Sequence, residues 1–231
     1  MKIKNIALVG NPNCGKTSLF NTLTGTRQKV ANYAGVTVER KEGSFKLPSG
    51  DAVRVLDLPG TYSLKPSSLD EEVTRAVCLG ELKGEILPDI FICVVDATNL
   101  SLHLSLVLEV RALNRPMILV LNMMDEVKKR GISIDKDKLS QLLGIPVVEA
   151  VAVKTKGIQD LINQLEQKNL FITPYHSELS HFEQVKQITK QVILNNDSGD
   201  KRTAFLDKIF LHPVLGLVIL TLTMFVMFQA V

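Results

Sequence analysis

Residues 10–17, Gly-Asn-Pro-Asn-Cys-Gly-Lys-Thr, constrain this chain more than any other stretch. They fit the pattern G-x-x-x-x-G-K-[ST], with Gly10, Gly15, Lys16 and Thr17 at the fixed positions. The apolar run 3–9 ahead of them reads as a buried strand, and 16–23 after them as a helix. Strand, glycine-bearing loop and helix form the context in which this pattern holds phosphate. Backbone N–H groups of the loop and of the helix N-terminus converge on anionic oxygens. Cys14 and Ser18 lie inside the same phosphate-binding stretch. Lys16 adds a mobile cation for the outer phosphates, and the Thr17 hydroxyl suits Mg²⁺. A chance glycine turn satisfies the bare pattern but not its flanks.

A chain of 231 residues suits one large domain with a small appendage, and 45% hydrophobic content supplies a core. The net charge of +3 is too small and too spread to point to nucleic acid. Cys14, Cys78 and Cys93 have no paired spacing, which suits a reducing compartment rather than a disulfide framework. The opening Met1-Lys-Ile-Lys is no signal peptide, because its apolar run ends at Gly10-Asn11-Pro12. The C-terminus differs in character. Residues 209–231 contain no Asp, Glu, Lys or Arg, and only Thr221, Thr223 and Gln229 interrupt the apolar run after Val214. A buried helix of a water-soluble domain would keep a polar stripe. The run therefore predicts the start of a transmembrane helix, for which about 20 apolar residues are needed. Lys201, Arg202 and Lys208 before it place its N-terminal side in the cytoplasm. Because the chain stops inside this run, it is expected to be the first part of a longer protein.

The middle of the chain reads as alternating strands and helices. Residues 44–47 and 52–56 flank the turn signal Pro48-Ser-Gly-Asp51 and predict a hairpin. Runs 89–95 and 117–121 are aliphatic throughout, as in strands buried on both faces, and 146–150 is a short last strand. Residues 70–80, 135–143 and 158–167 read as helices. Residues 100–110 carry Leu or Val at every even position, a strand period, yet they lie between two buried strands. A parallel crossover demands a helix there. The expected fold is α/β: a doubly wound, mostly parallel sheet with one antiparallel edge and a small C-terminal helical appendage.

Asp57-Leu-Pro-Gly60 follows a predicted strand, which places Asp57 to hold Mg²⁺ through water and the Gly60 N–H to bond a γ-phosphate. Alone, such a motif is an ordinary turn; downstream of a P-loop it is specific. Asn122-Met-Met-Asp125 ends another strand. The Asp125 carboxylate can accept two hydrogen bonds from the N1–H and 2-amino groups of guanine, a pair adenine lacks. Asn122 would tie this loop to the P-loop. Met123 stands where guanine-nucleotide hydrolases usually carry Lys; it covers the base but brings no charge, so weaker binding is expected. Thr37 sits in segment 28–40, read as a mobile loop that brings its hydroxyl to Mg²⁺ and its N–H to the γ-phosphate.

Together these stretches resemble one family. Gly10-Asn-Pro-Asn-Cys-Gly-Lys-Thr-Ser-Leu-Phe-Asn, Gly35-Val-Thr-Val-Glu-Arg-Lys-Glu-Gly, Asp57-Leu-Pro-Gly-Thr-Tyr-Ser-Leu, Val95-Asp-Ala-Thr-Asn-Leu and Leu121-Asn-Met-Met-Asp-Glu are similar to the G domain of the FeoB ferrous-iron transporters. The likeness covers residues 1–167 and resumes at 206–216. It implies a G domain over 1–167, a short helical domain or linker over 168–207, and entry into a first membrane helix over 208–231. The implied activity is slow, K⁺-stimulated GTP hydrolysis with Mg²⁺, in which Lys16, Thr37 and Gly60 act at the phosphates. Thr17, Thr37 and Asp57 would organise Mg²⁺, Asn13 would ligate K⁺, and Asn122, Met123 and Asp125 would read the base. The last base-contact loop usually holds Ser-Ala or Ser-Thr; here it is Ala152-Val153-Lys154, with a backbone N–H left for the guanine O6. The family commonly has Gly-Asn-Trp-Pro-Gly in switch I, where this chain has Ala31-Asn32-Tyr33-Ala34-Gly35.

The resemblance also implies a place on the cytoplasmic side of the bacterial inner membrane. Its partners would be guanine nucleotide, ferrous iron through a membrane part, small accessory proteins and further copies of the chain, with no nucleic acid. A water-soluble ribosome-assembly GTPase that binds RNA is the alternative, and it needs a basic, aromatic-bearing tail. Here Lys186, Lys190, Lys201 and Arg202 are balanced by acids. A nucleotide-binding scaffold without turnover is the third reading. His103, His176, His181 and His212 are scattered and form no metal cluster. Glu71 and Glu72 read as a solvated helix start.

Overall fold

The computed structural model describes residues 3–25, 28–150, 155–167, 179–196 and 208–230. Seven strands form one sheet in the order β2-β3-β4-β1-β5-β6-β8. They are β1 (Asn5–Gly10), β2 (Gln28–Asn32), β3 (Glu39–Lys46), β4 (Ala52–Asp57), β5 (Ile90–Asp96), β6 (Met117–Asn122) and β8 (Val147–Glu149). β4, β1, β5, β6 and β8 run parallel, and β2 and β3 add an antiparallel edge. The fold is the α/β arrangement that the sequence pattern called for. The parallel strands are wholly buried where helices cover both faces, which explains their unbroken aliphatic runs.

Helices α1 (Lys16–Thr24) and α6 (Thr155–Glu166) cover one face, with Leu19, Phe20, Ile158 and Leu161 in its core. α2 (Leu69–Leu79), α3 (Leu100–Ala112) and α5 (Lys136–Leu143) cover the other, through Val73, Leu104, Val107 and Leu139. The strand-like alternation of 100–110 is overridden, because a parallel β5–β6 pair needs a crossover and the segment is buried nearly all round. α4 (Met124–Lys129) is a short turn of helix after β6.

Two features depart from the expected pattern. Segment 28–40, expected to be a loop, contains β2, and β3 begins at Glu39 rather than 44. Val30 pairs with Lys41 and Asn32 with Glu39, so the two strands make a second hairpin. Backbone bonds from Tyr33 N to Val38 O and from Val36 N to Tyr33 O close it, with Gly35 at φ 81°. Beyond the main sheet, β7 (Ile132–Ile134) pairs with β9 (Ile193–Asn196), and α7 (His181–Val192) sets Val185, Ile188 and Val192 into the core beside α3 and α5. A capping box at Ser180 and Glu183 starts α7.

The C-terminal apolar run forms α8 (Leu215–Ala230), 16 residues long. Its start lies later than the sequence suggests because Pro213 interrupts the run and His212 Nδ1 accepts from the N–H groups of Val214 and Leu215. At 1.5 Å per residue α8 is about 24 Å long, short of the roughly 30 Å hydrocarbon layer. Among the described residues no helix is long and apolar enough to cross a membrane.

Candidate nucleotide site

The site sits at the carboxyl ends of β1, β4 and β6, where an open parallel sheet leaves a crevice. Between β1 and α1 the chain turns through two left-handed residues, Asn13 at φ 62° and Gly15 at φ 88°. Gly15 admits no side chain, since a Cβ would lie 2.0 Å from Asn122 Nδ2. Gly10 admits none either, since its Cβ would meet Val94 O at 2.4 Å. These close approaches hold the loop against β5 and the β6 loop. Asn122 Nδ2 donates to Cys14 O at 2.9 Å and ties the β6 loop to the P-loop.

Lys16 and Asp57 are both buried, with Nζ 2.6 Å from Oδ1. Thr17 Oγ1 donates to Asp57 Oδ2 at 3.2 Å. The pair saturates charge that would otherwise be buried alone. A phosphate would draw Lys16 away and release the Asp57 carboxylate and Thr17 hydroxyl, two hard oxygen donors suited to Mg²⁺. The donor set therefore fits that ion. Beside them lies a cleft of about 250 Å³, lined by Lys16, Thr17, Asp57, Gly60, Glu39, Lys41 and Asp70 among others.

The structure brings Gly10, Cys14, Gly15, Lys16, Thr17, Asp57 and Asn122 together. It holds Thr37 apart: the residue is exposed on the closed β2–β3 turn, and Val38 and Glu39 face the cleft instead. Asn13 and Ser18 are exposed. Met123 takes a left-handed φ of 60° at the start of α4, which puts Asp125 in that helix's first turn. Ala152, Val153 and Lys154 lie outside the described residues, as do Arg27, His176, Lys201 and Arg202. Burial pushes the Cys14 thiol up to about 11, so it packs as a neutral group.

The loop after Gly60 is held by carboxylates that the sequence pattern did not single out. Ser63 Oγ donates to both Glu109 oxygens at 3.0 and 2.9 Å, and Leu64 N donates to the same carboxylate. Glu71, expected to be merely solvated, accepts from Ser67 N at 2.9 Å and Ser67 Oγ at 2.7 Å. Those bonds, the backbone one first, hold its carboxyl below the usual range. Glu39, Lys41 and Asp70 were also missed as cleft residues; only the register that sets Lys41 opposite Asp57 in the structure reveals the first two. Asn11 was missed too: its amide is buried, with no hydrogen-bond partner among the described residues. His103 is buried in α3, where burial lowers its pKa against the opposing pull of Asp96.

Comparison with known proteins follows this geometry. Residues 4–165 match the family of ferrous iron transport protein B. The Fe(2+) transporter FeoB of Salmonella typhimurium is 47% identical over 173 residues, 73% of this chain and 22% of that protein. The Escherichia coli Fe(2+) transporter FeoB is 48% identical over 165 residues, 70% of this chain and 21% of that protein. The chain thus spans about a fifth of the length of these relatives. The cytosolic domain of L. pneumophila FeoB superposes with a TM-score of 0.75 at 32% identity, covering 83% of this chain and 100% of that one. The cytosolic domain of the T. maritima FeoB iron transporter in its GMPPNP form gives 0.72 at 32% identity, covering 84% and 100%. By the family match over 4–165 and the identity of these relatives, the chain belongs to the ferrous iron transport protein B family and carries its α/β P-loop GTPase fold.

Proposed function

We propose that this chain binds and hydrolyses GTP with Mg²⁺ as the regulatory domain of a prokaryotic ferrous-iron membrane transporter. The observation that carries the reading is the buried Lys16–Asp57–Thr17 cluster at the P-loop. It is a phosphate cation held against the groups that suit a divalent ion. Forms of the T. maritima relative with GMPPNP and with GDP support guanine nucleotide as the ligand. Lys16 and the loop amides neutralise phosphate charge. Thr17 and Asp57 would hold Mg²⁺, which when bound spreads the charge of the β- and γ-phosphates. Asp125 accepts from the guanine edge, and Asn122 fixes that loop. Thr37 reaches the phosphates only after the β2–β3 turn reopens. Thr61 follows Gly60 and is buried, with its Oγ1 donating to Ser63 O at 2.6 Å. It therefore cannot orient water as the Gln of Ras-like proteins does. Asn13 is the proposed K⁺ ligand, and K⁺ there would supply positive charge beside the phosphates.

Residues 168–207 are proposed as the short helical domain or linker that leads to the membrane part, with α7 and β9 as its packed portion, and α8 as the beginning of the first membrane helix. The place is the cytoplasmic side of the bacterial cell membrane, with ferrous iron, accessory proteins and other copies of the chain as partners. The test is GTP turnover in matched KCl and NaCl, with Mg²⁺ or with chelator. Turnover that requires Mg²⁺, prefers GTP over ATP and runs faster in KCl is expected. Equal use of ATP would overturn the guanine reading, and equal rates in the two salts would overturn the K⁺ role.

A further inference from the structure

Besides Lys16 and the proposed Mg²⁺ and K⁺, the charge that develops on the transferring phosphates can take a further cation. Two basic residues of β3 are candidates, and the pleat separates them. Residues 40 and 42 face one side of the sheet, and 41, 43 and 45 the other. On the first side Arg40 is committed. It bonds Glu85 and Glu42, while Arg54 bonds Glu42 at 3.0 Å and Glu85 at 2.9 Å. That network also lies near the buried Tyr33 phenol, away from the P-loop helix.

Lys41 is on the opposite side, the α1 side, with Phe45, Val53 and Val55. It stands directly across from Asp57 in the β3–β4 ladder. Side chains of residues so paired lie about 5 Å apart at Cβ. Lys41 accordingly lines the cleft with Lys16, Thr17, Asp57 and Gly60. Its ion pair is loose: Nζ is 3.6 Å from Glu39 Oε2, and that carboxylate is itself half exposed. Such a pair holds a lysine weakly.

We propose that Lys41 is a second phosphate cation of the site, one that swings from Glu39 onto the terminal phosphate of a bound nucleoside triphosphate. The inference rests on the GTP reading above. In hydrolysis the water oxygen bonds to the γ-phosphorus as the bond to the β–γ bridging oxygen breaks, giving GDP and phosphate. The proton of the water leaves with the phosphate product or to solvent, and Lys41 keeps its own. Its part is to offset charge on the γ-oxygens, so it discriminates triphosphate from diphosphate. Glu39 competes for it in the empty site.

The test compares the parent chain with Lys41→Met and Lys41→Arg. It measures affinity for fluorescent GDP and for a fluorescent non-hydrolysable GTP analogue, and kcat with Mg²⁺. For Lys41→Met, GDP affinity is expected to stay within about twofold, analogue affinity to fall about tenfold, and kcat to fall tenfold or more, the scale of a lost charge-stabilising donor. Lys41→Arg should restore much of both. Glu39→Gln should raise analogue affinity by freeing Lys41. Equal losses for GDP and analogue would mark Lys41 as structural and overturn the proposal, as would parent-like kcat in Lys41→Met. A parent chain that neither binds nor hydrolyses GTP would instead overturn the nucleotide reading itself.

Discussion

The parallel half of the sheet and its antiparallel edge are built on different physics. In β1, β5 and β6 nearly every side chain is buried, and Phe91, Ile92 and Leu119 are sealed from water. In β2 all five residues are exposed, and Val30 keeps 63% of its surface in water. The edge is fastened to the body by the β3–β4 ladder, by the buried Tyr33, Val38 and Phe45, and by the Arg40–Glu42–Arg54–Glu85 ion pairs. Hydrophobic burial makes the parallel half costly to deform. β2, at the end of the sheet with all five residues exposed, buries little apolar surface, so it can change partners at smaller cost. Asn122, which ties the β6 loop to the P-loop, and Asp125, proposed to read the base, stand on the rigid half. Thr37, the residue proposed to sense the γ-phosphate, stands on the pliable half.

This contrast can be broken by experiment. The largest effect is expected from Asp125→Asn on the rigid half. Losing two charge-assisted hydrogen bonds, about 3–6 kcal/mol, should weaken GTP and GDP alike by two to four orders of magnitude. Xanthosine nucleotides should gain, and competition binding checks it. Phe91→Ala should cost about 3–5 kcal/mol in chemical denaturation by opening a cavity between the sheet and the helices on its α2–α3 face. Val30→Ala on the edge should change stability by less than about 0.5 kcal/mol; a cost near that of Phe91→Ala would erase the comparison. Asp57→Ala leaves the buried Lys16 ammonium unpaired, so the nucleotide-free protein should lose about 3 kcal/mol.

Smaller effects belong to the edge itself. Thr37→Ala should spare GDP affinity while slowing hydrolysis, because the residue lies away from the cleft until the turn opens. Burial raises the Glu42 pKa, yet hydrogen bonds from Arg54 and Arg40 outweigh it and hold the carboxyl below its usual value. A lowered folded-state pKa contributes stability above the unfolded value, near 4.3, and loses it as pH falls through the folded one. Glu42→Gln should therefore flatten the loss of stability on acidification below about pH 4, as thermal melts across that range would show.

The rigid half was legible because its signals are local and redundant. The glycine pattern of 10–17 fixes β1, its turn and α1 together, and unbroken aliphatic runs mark β5 and β6. Even the misleading alternation of 100–110 yielded to the topology around it. The edge was harder to read. Gln28, Lys29, Val30, Ala31 and Asn32 carry no alternating apolar pattern, and they become a strand only by pairing with β3. β7 and β9 are too short to announce themselves, and their partners lie far apart in the chain. The cleft residues Glu39, Lys41 and Asp70 look like ordinary surface charges until the ladder sets Lys41 opposite Asp57.

The sequence by itself determined the fold class, the glycine loop after β1, the acid after β4 and the Asn-Met-Met-Asp loop after β6. Each of these is written in contiguous residues whose backbone and side-chain chemistry act locally. Only the tertiary structure decided that Lys16 is paired with Asp57, that Thr37 is held away from the cleft, that Glu71 and Glu109 anchor the loop after Gly60, and that Arg40 and Lys41 part to opposite faces. Those outcomes depend on strand register and on which side chains meet across long loops. A linear pattern does not encode which partner satisfies a buried charge; the packed fold selects it, because an unpaired charge in that interior would cost several kcal/mol.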